Sequence, residues 1–98
     1  MDFMVEMEIG VPPDLDAETL ADLTRRERER AVEIFEAGDF FQQVWVVPGQ
    51  RSRIMICSAA DAKELHETFQ SLPAFPWCRF KVSPLIGQAP GAPICPVD

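Results

Sequence analysis

Along residues 2–9 apolar and polar positions alternate: Phe3, Val5, Met7 and Ile9 fall on one side, Asp2, Met4, Glu6 and Glu8 on the other. That period of two predicts a strand with one face on a core, with Met4 the apolar exception on the acidic face. The segment from Gly10 to Pro13 ends it, because proline offers no donor to a ladder. Over residues 16–38 the period changes to that of one helix. Leu20, Leu23, Ala31, Ile34 and Phe35 share a stripe at about 100° per residue. Asp16 suits the N-cap, Glu18 and Asp22 suit the positive end of the helix dipole, and Gly38 suits a left-handed C-terminal cap.

Residues 40–47 are rich in aromatic and β-branched side chains and predict a second strand. Pro48-Gly49 marks a turn, and residues 53–57 complete a hairpin. Ser58 followed by Asp61 resembles a capping box for a second helix reaching about Ser71, with Ala62, Leu65, Phe69 and Leu72 on its buried stripe. The run Leu72-Pro73-Ala74-Phe75-Pro76 stops that helix. Residues 77–84 then predict a fourth strand, with Cys78, Phe80 and Val82 opposite Arg79 and Lys81.

The order β-α-β-β-α-β is the split pattern of ferredoxin-like α+β folds, a four-stranded antiparallel sheet with both helices on one face. The other face is left bare, with Met4, Trp45 and Trp77 as candidates to occupy it, and an uncovered apolar sheet predicts a face-to-face homodimer. Residues 1–85 form the predicted domain. Residues 86–98, rich in proline and glycine, form an arm that is either free or laid across a neighbouring subunit.

Charge narrows the partners. A formal net charge of −7 over 98 residues argues against nucleic acid, whose binders need a basic surface. Arg25, Arg26, Arg28 and Arg30 alternate with Glu27, Glu29 and Glu33, a pattern that predicts a solvated, salt-bridged helix face. The three cysteines, Cys57, Cys78 and Cys95, have no metal-ligand spacing and suggest free thiols in a reducing compartment. The opening residues hold acids and no apolar run, and no stretch approaches the ~20 residues that span a bilayer, so a cytoplasmic location is expected.

No phosphate loop, zinc spacing or dinucleotide fingerprint is present, and the candidates for chemistry are single residues. Glu27 stands first, because it projects from the middle of an apolar helical stripe. A carboxylate there is either structural, paired to an arginine or reaching past the edge of the stripe, or a general base in a dry pocket between helix and sheet. His66, the sole histidine, is either a half-exposed residue on the shoulder of the second helix or a donor to a substrate oxygen. Arg51 and Arg53 flank the hairpin turn, as surface charges or as holders of a substrate carboxylate. Trp45 and Trp77 are core or interface residues, or pocket walls.

Several of these residues occur in an order that resembles a known family. They are Phe3-Met4-Val5-Glu6-Met7, Arg26-Glu27-Arg28-Glu29, Gly38, and Trp45 before Pro48-Gly49. Leu65-His66 followed by Leu72-Pro73-x-Phe75-Pro76-Trp77 and Val82-x-Pro84-Leu85 is the most specific part. Together they resemble muconolactone Δ-isomerases over nearly residues 1–86. The resemblance implies a dimeric α+β barrel that assembles through the sheet. It also implies isomerisation of muconolactone to an enol-lactone in aromatic catabolism, without cofactor or metal. Glu27 and His66 match the family's acidic and Leu-His positions. The family commonly carries a histidine where this chain has Met4, a basic residue where Thr24 stands and an asparagine near Arg53, positions implied to line the substrate site. Between Gly38 and Trp45 this chain is one residue longer. Three functions follow as expectations: a lactone isomerase with Glu27 as acid–base; a diverged cyclase, isomerase or dehydratase acting on an unsaturated carbonyl compound of secondary metabolism; and a non-catalytic binding or assembly protein on the same scaffold.

Overall fold

Strand β1 (Asp2–Ile9) lies inside the sheet, and its alternation buries Phe3, Val5 and Met7 on one face. The computed structural model describes residues 1–91. After β1 come α1 (Ala17–Ala37), β2 (Phe41–Val46), β3 (Ser52–Ser58), α2 (Ala62–Gln70) and β4 (Cys78–Leu85), with a 3-10 turn at Phe75–Trp77 entering β4. The strands run in the order β2-β3-β1-β4, every neighbouring pair antiparallel, which is the ferredoxin-like arrangement. Residues 86–89 carry no helix or strand, a turn follows at 90–91, and the rest of the expected arm, with Cys95, lies outside the described residues.

Register fixes which side chains meet. Phe3 is opposite Cys57, and Val5 is flanked by Met55 and Val82. Phe3, Val5, Met55 and Cys57 are buried with Ile34 of α1 and Leu65 and Phe69 of α2 in one cluster, so both helices cover the same sheet face. Phe69 stacks on Phe80 at 4.5 Å between ring centroids and meets Phe40 edge-on at 5.5 Å. Each large apolar side chain withdrawn from water here contributes roughly 1.5–3 kcal/mol.

Local signals resolve in different ways. Asp16 caps α1, its carboxylate accepting from Thr19 N–H at 3.1 Å. The arginine-rich face is ion-paired as expected, Arg25 and Arg26 to Asp22 and Arg30 to Glu33. Gly38 corrects the sequence expectation: its φ of 168° is extended backbone, not the left-handed region. The capping box is also displaced. Ser58 stays in the β3 ladder opposite Asp2, and Asp61 is the cap, accepting from Glu64 N–H at 2.8 Å while the Glu64 carboxylate accepts from Ala60 N–H at 2.6 Å. Ala62 is exposed rather than buried.

At the hairpin, Pro48 and Gly49 occupy the middle of a turn closed by Gln50 N–H to the Val47 carbonyl. The φ of 76° at Gly49 is one that glycine adopts without strain. In β2 the register shifts between Phe41 and Gln43, a bulge that absorbs one residue in the stretch where the chain is longer than expected from its resemblance.

Burial governs the thiols. Cys57 is fully enclosed, which pushes its thiol from 9.0 up to about 12. Cys78, half-buried, is pushed to about 11, first by burial and then by the nearby negative charge of Glu27. A raised acid pKa favours the protonated native state, so this contribution is intact below pH 9.0 and is lost as pH climbs towards about 12. Under reducing conditions the urea midpoint should therefore fall between pH 8 and pH 10.5, and the fall should be smaller in Cys57→Ala. An equal fall in both proteins would remove Cys57 as its cause.

Candidate functional site

Between α1 and the helix-covered face of the sheet opens a cleft of about 560 Å3. Of the predicted stripe, Ile34 joins the core and Leu23 is buried against the cleft. Leu20 and Phe35 remain 41% and 65% exposed, because they stand over the opening. The walls are mostly apolar, with Met7 and Ile9 from β1, Val44 from β2, Met55 from β3 and Phe69 from α2.

Glu27 is the one carboxylate among the lining residues. It is half-buried, and its Oε2 accepts a hydrogen bond of 2.8 Å from the main-chain N–H of Ala74, 47 residues further on. Among the described residues no basic side chain forms an ion pair with it, so the arginine partner of the structural alternative is absent. The loop before β4 explains the donor. Leu72 N–H turns back to the Phe69 carbonyl of α2, Phe75 and Trp77 direct theirs to the Leu72 and Ala74 carbonyls, and Cys78 N–H returns to Phe75. Pro73 and Pro76 have none to give. The Ala74 N–H is left over, and a buried donor needs a partner. Cys78 Sγ donates to the Ala74 carbonyl at 3.2 Å, which holds the same residue from its other side.

Two further expected residues line this cleft. Arg53 projects from β3 on the face shared with Met7, half-buried, and makes no ion pair among the described residues. Thr24 is on α1, one helical turn before Arg28; its hydroxyl donates to the Leu20 carbonyl at 2.9 Å, so its proton is committed to the helix.

The remaining candidates lie elsewhere in the single chain. Met4 and Trp45 are on the opposite sheet face, by parity with buried Phe3 and Val5 and by the pairing of Trp45 with Ile54. His66 is exposed, turned about 100° from Leu65, with its ring edge-on to Phe75 at 6.0 Å. Arg51 and Trp77 meet in a separate depression at the end of the sheet, with Glu8 and Arg79. The structure therefore does not bring His66, Arg51, Met4, Trp45 or Trp77 to Glu27 within one chain.

Arg28 is exposed, as expected of the charged face, and it also lines the cleft, which sequence reasoning did not foresee. A signal for it existed. Arg25, Arg26 and Arg30 each have an acid three or four residues away, whereas Arg28 has Thr24, Arg25, Ala31 and Val32 at those spacings. Among the described residues no group of three or more His, Cys, Asp or Glu side chains could hold a metal ion.

The arrangement is a carboxylate steadied on one oxygen by a main-chain N–H, inside an apolar cleft that also holds guanidinium groups. Such a group can take a proton from carbon and give it back. Comparison with known proteins supplies the family. The family model described as muconolactone delta-isomerase matches residues 1–88.

The chain belongs to this family. The muconolactone Delta-isomerase of Rhodococcus opacus is 32% identical over 83 residues, covering 85% of this chain and 88% of the relative. That of Cupriavidus pinatubonensis is 31% identical, covering 85% and 89%. A crystal structure of muconolactone isomerase superposes with a TM-score of 0.81 at 26% identity, over 100% of this chain and 99% of the other. Among the described residues no helix is long and apolar enough to cross a membrane.

Proposed function

We propose that the protein is a cofactor-free isomerase that shifts the double bond of an unsaturated lactone, with Glu27 as the acid–base group and muconolactone as the first substrate to test. The observation that carries this reading is the lone carboxylate of the cleft, fixed by Ala74. Glu27 removes the allylic proton from the ring carbon. The electrons of the broken C–H bond move into the ring, the double bond shifts by one position, and the carbon next to the carbonyl takes the proton back from Glu27. Atoms and charge balance with no other reactant. Arg53 holds the carboxylate of the substrate.

Purified protein incubated with muconolactone should produce the enol-lactone, followed by its ultraviolet absorbance. Turnover that persists in Glu27→Gln would remove the proposed role. Absence of turnover with muconolactone and with related unsaturated lactones would remove the isomerase reading.

Self-association belongs to the same reading. Met4, Ile54 and Ile56 are half-buried and Trp45 is 50% exposed on the sheet face that neither helix covers. A second copy laid face to face would take this surface out of water. Ile56→Arg should convert a dimer or larger assembly to monomers in light scattering. A wild-type chain that is monomeric at micromolar concentration would contradict the pairing. The free thiols Cys57 and Cys78 fit a reducing, cytoplasmic setting.

A further inference from the structure

We infer that the molecule accepted by this cleft is larger and less polar than muconolactone: an unsaturated lactone carboxylate extended by an apolar group of aryl size. The inference rests on the isomerase reading and adds the dimensions of the substrate.

Volume is the first observation. The cleft holds about 560 Å3. Muconolactone has about ten non-hydrogen atoms, and even at the ~30 Å3 that a whole water molecule occupies in the liquid it would fill no more than about 300 Å3. Clefts of roughly 300–1,000 Å3 suit larger ligands, which they bury over most of their surface.

The distribution of charge is the second. Arg53 is opposite Met7, whereas Phe41 is opposite Cys57, four residues further along β3. At ~3.3 Å per residue these positions are about 13 Å apart. On α1, Thr24, Glu27 and Arg28 are the polar residues of the cleft lining, and Phe35 lies about 12 Å beyond Glu27 at ~1.5 Å per residue. Arg28 is the last charged residue of α1 along the cleft, and the stretch beyond it is lined by Ala31, Val32, Phe35 and Phe41, without a charged or hydrogen-bonding side chain. Val32 and Phe35 are 47% and 65% exposed. With its carboxylate at Arg53 and its ring at Glu27, a small lactone would leave this apolar end in water. An aryl substituent on the ring would cover it, which fits a cleft that is charged at one end and apolar at the other.

The test uses the full-length protein and two saturated lactone acids that cannot react, the carboxymethyl lactone and its phenyl-substituted analogue. Calorimetric titration should give a Kd at least about tenfold lower for the phenyl compound, since a single added methylene in an apolar pocket is worth about tenfold or more. Ala31→Phe, which fills the apolar end, should bring the ratio of the two constants towards one. Arg53→Ala should weaken both ligands by similar factors. Equal affinities in the wild type, or exclusion of the phenyl compound, would overturn the inference. Failure of the isomerase reading looks different: the phenyl preference would persist while neither unsaturated counterpart turned over.

Discussion

Glu27→Gln is expected to lower kcat for the lactone by about a hundredfold to ten thousandfold, the range supplied by a positioned acid–base group. Glutamine keeps the shape of the side chain and an amide oxygen able to accept from Ala74 N–H, so the link between α1 and the loop before β4 survives. What is lost is the ability to hold a proton between two carbons. KM should change much less than kcat, because in the proposed pose the apolar walls and Arg53, rather than Glu27, hold the ground-state substrate. The thermal midpoint should stay within a few degrees of the parent. A variant with full kcat would make Glu27 a structural residue, and a variant that unfolds would make its charge essential to the fold.

The largest stability effect is expected at Phe69. Its ring is 3% exposed, stacks on Phe80, meets Phe40 edge-on and forms part of the cleft wall. Truncation to alanine removes the transfer energy of the ring and leaves a void that neighbours on two elements cannot close, a loss of about 3–5 kcal/mol. Total stability for a small domain is about 5–15 kcal/mol, so Phe69→Ala should remove a large part of it. Urea denaturation of parent and variant measures the difference directly. A loss below about 1 kcal/mol would mean that Phe40 and Phe80 repack into the space the ring leaves.

The fold was legible because burial fixes parity. In β1 and β4 a slip of one residue would turn an entire apolar set into water, and the faces follow the alternation of Phe3, Val5 and Met7 and of Phe80 and Val82. Helix ends were less legible. Ser58 can cap or pair, and the β1 ladder claims it, leaving the cap to Asp61. Glu27 was visible as a charge on an apolar stripe, but its partner was not, since a main-chain N–H has no side-chain signature. The Pro73 and Pro76 spacing was the nearest trace of it. Arg28 was hidden in a cluster of charges whose other arginines are satisfied by local acids. Met4, Trp45, His66, Arg51 and Trp77 were grouped by residue type and by family resemblance, and the fold distributes them over other surfaces.

One isotopic measurement tests most directly whether a single carboxylate carries the proton between two carbons. A lactone that turns over is deuterated at the carbon that loses the proton, and the product of the earliest turnovers in ordinary water is analysed by mass spectrometry and NMR. Glu27 acting alone predicts deuterium retained in part at the carbon next to the carbonyl. Product that is fully protiated from the first turnover would contradict a one-carboxylate shuttle, because the returning proton would then come from another group or from solvent.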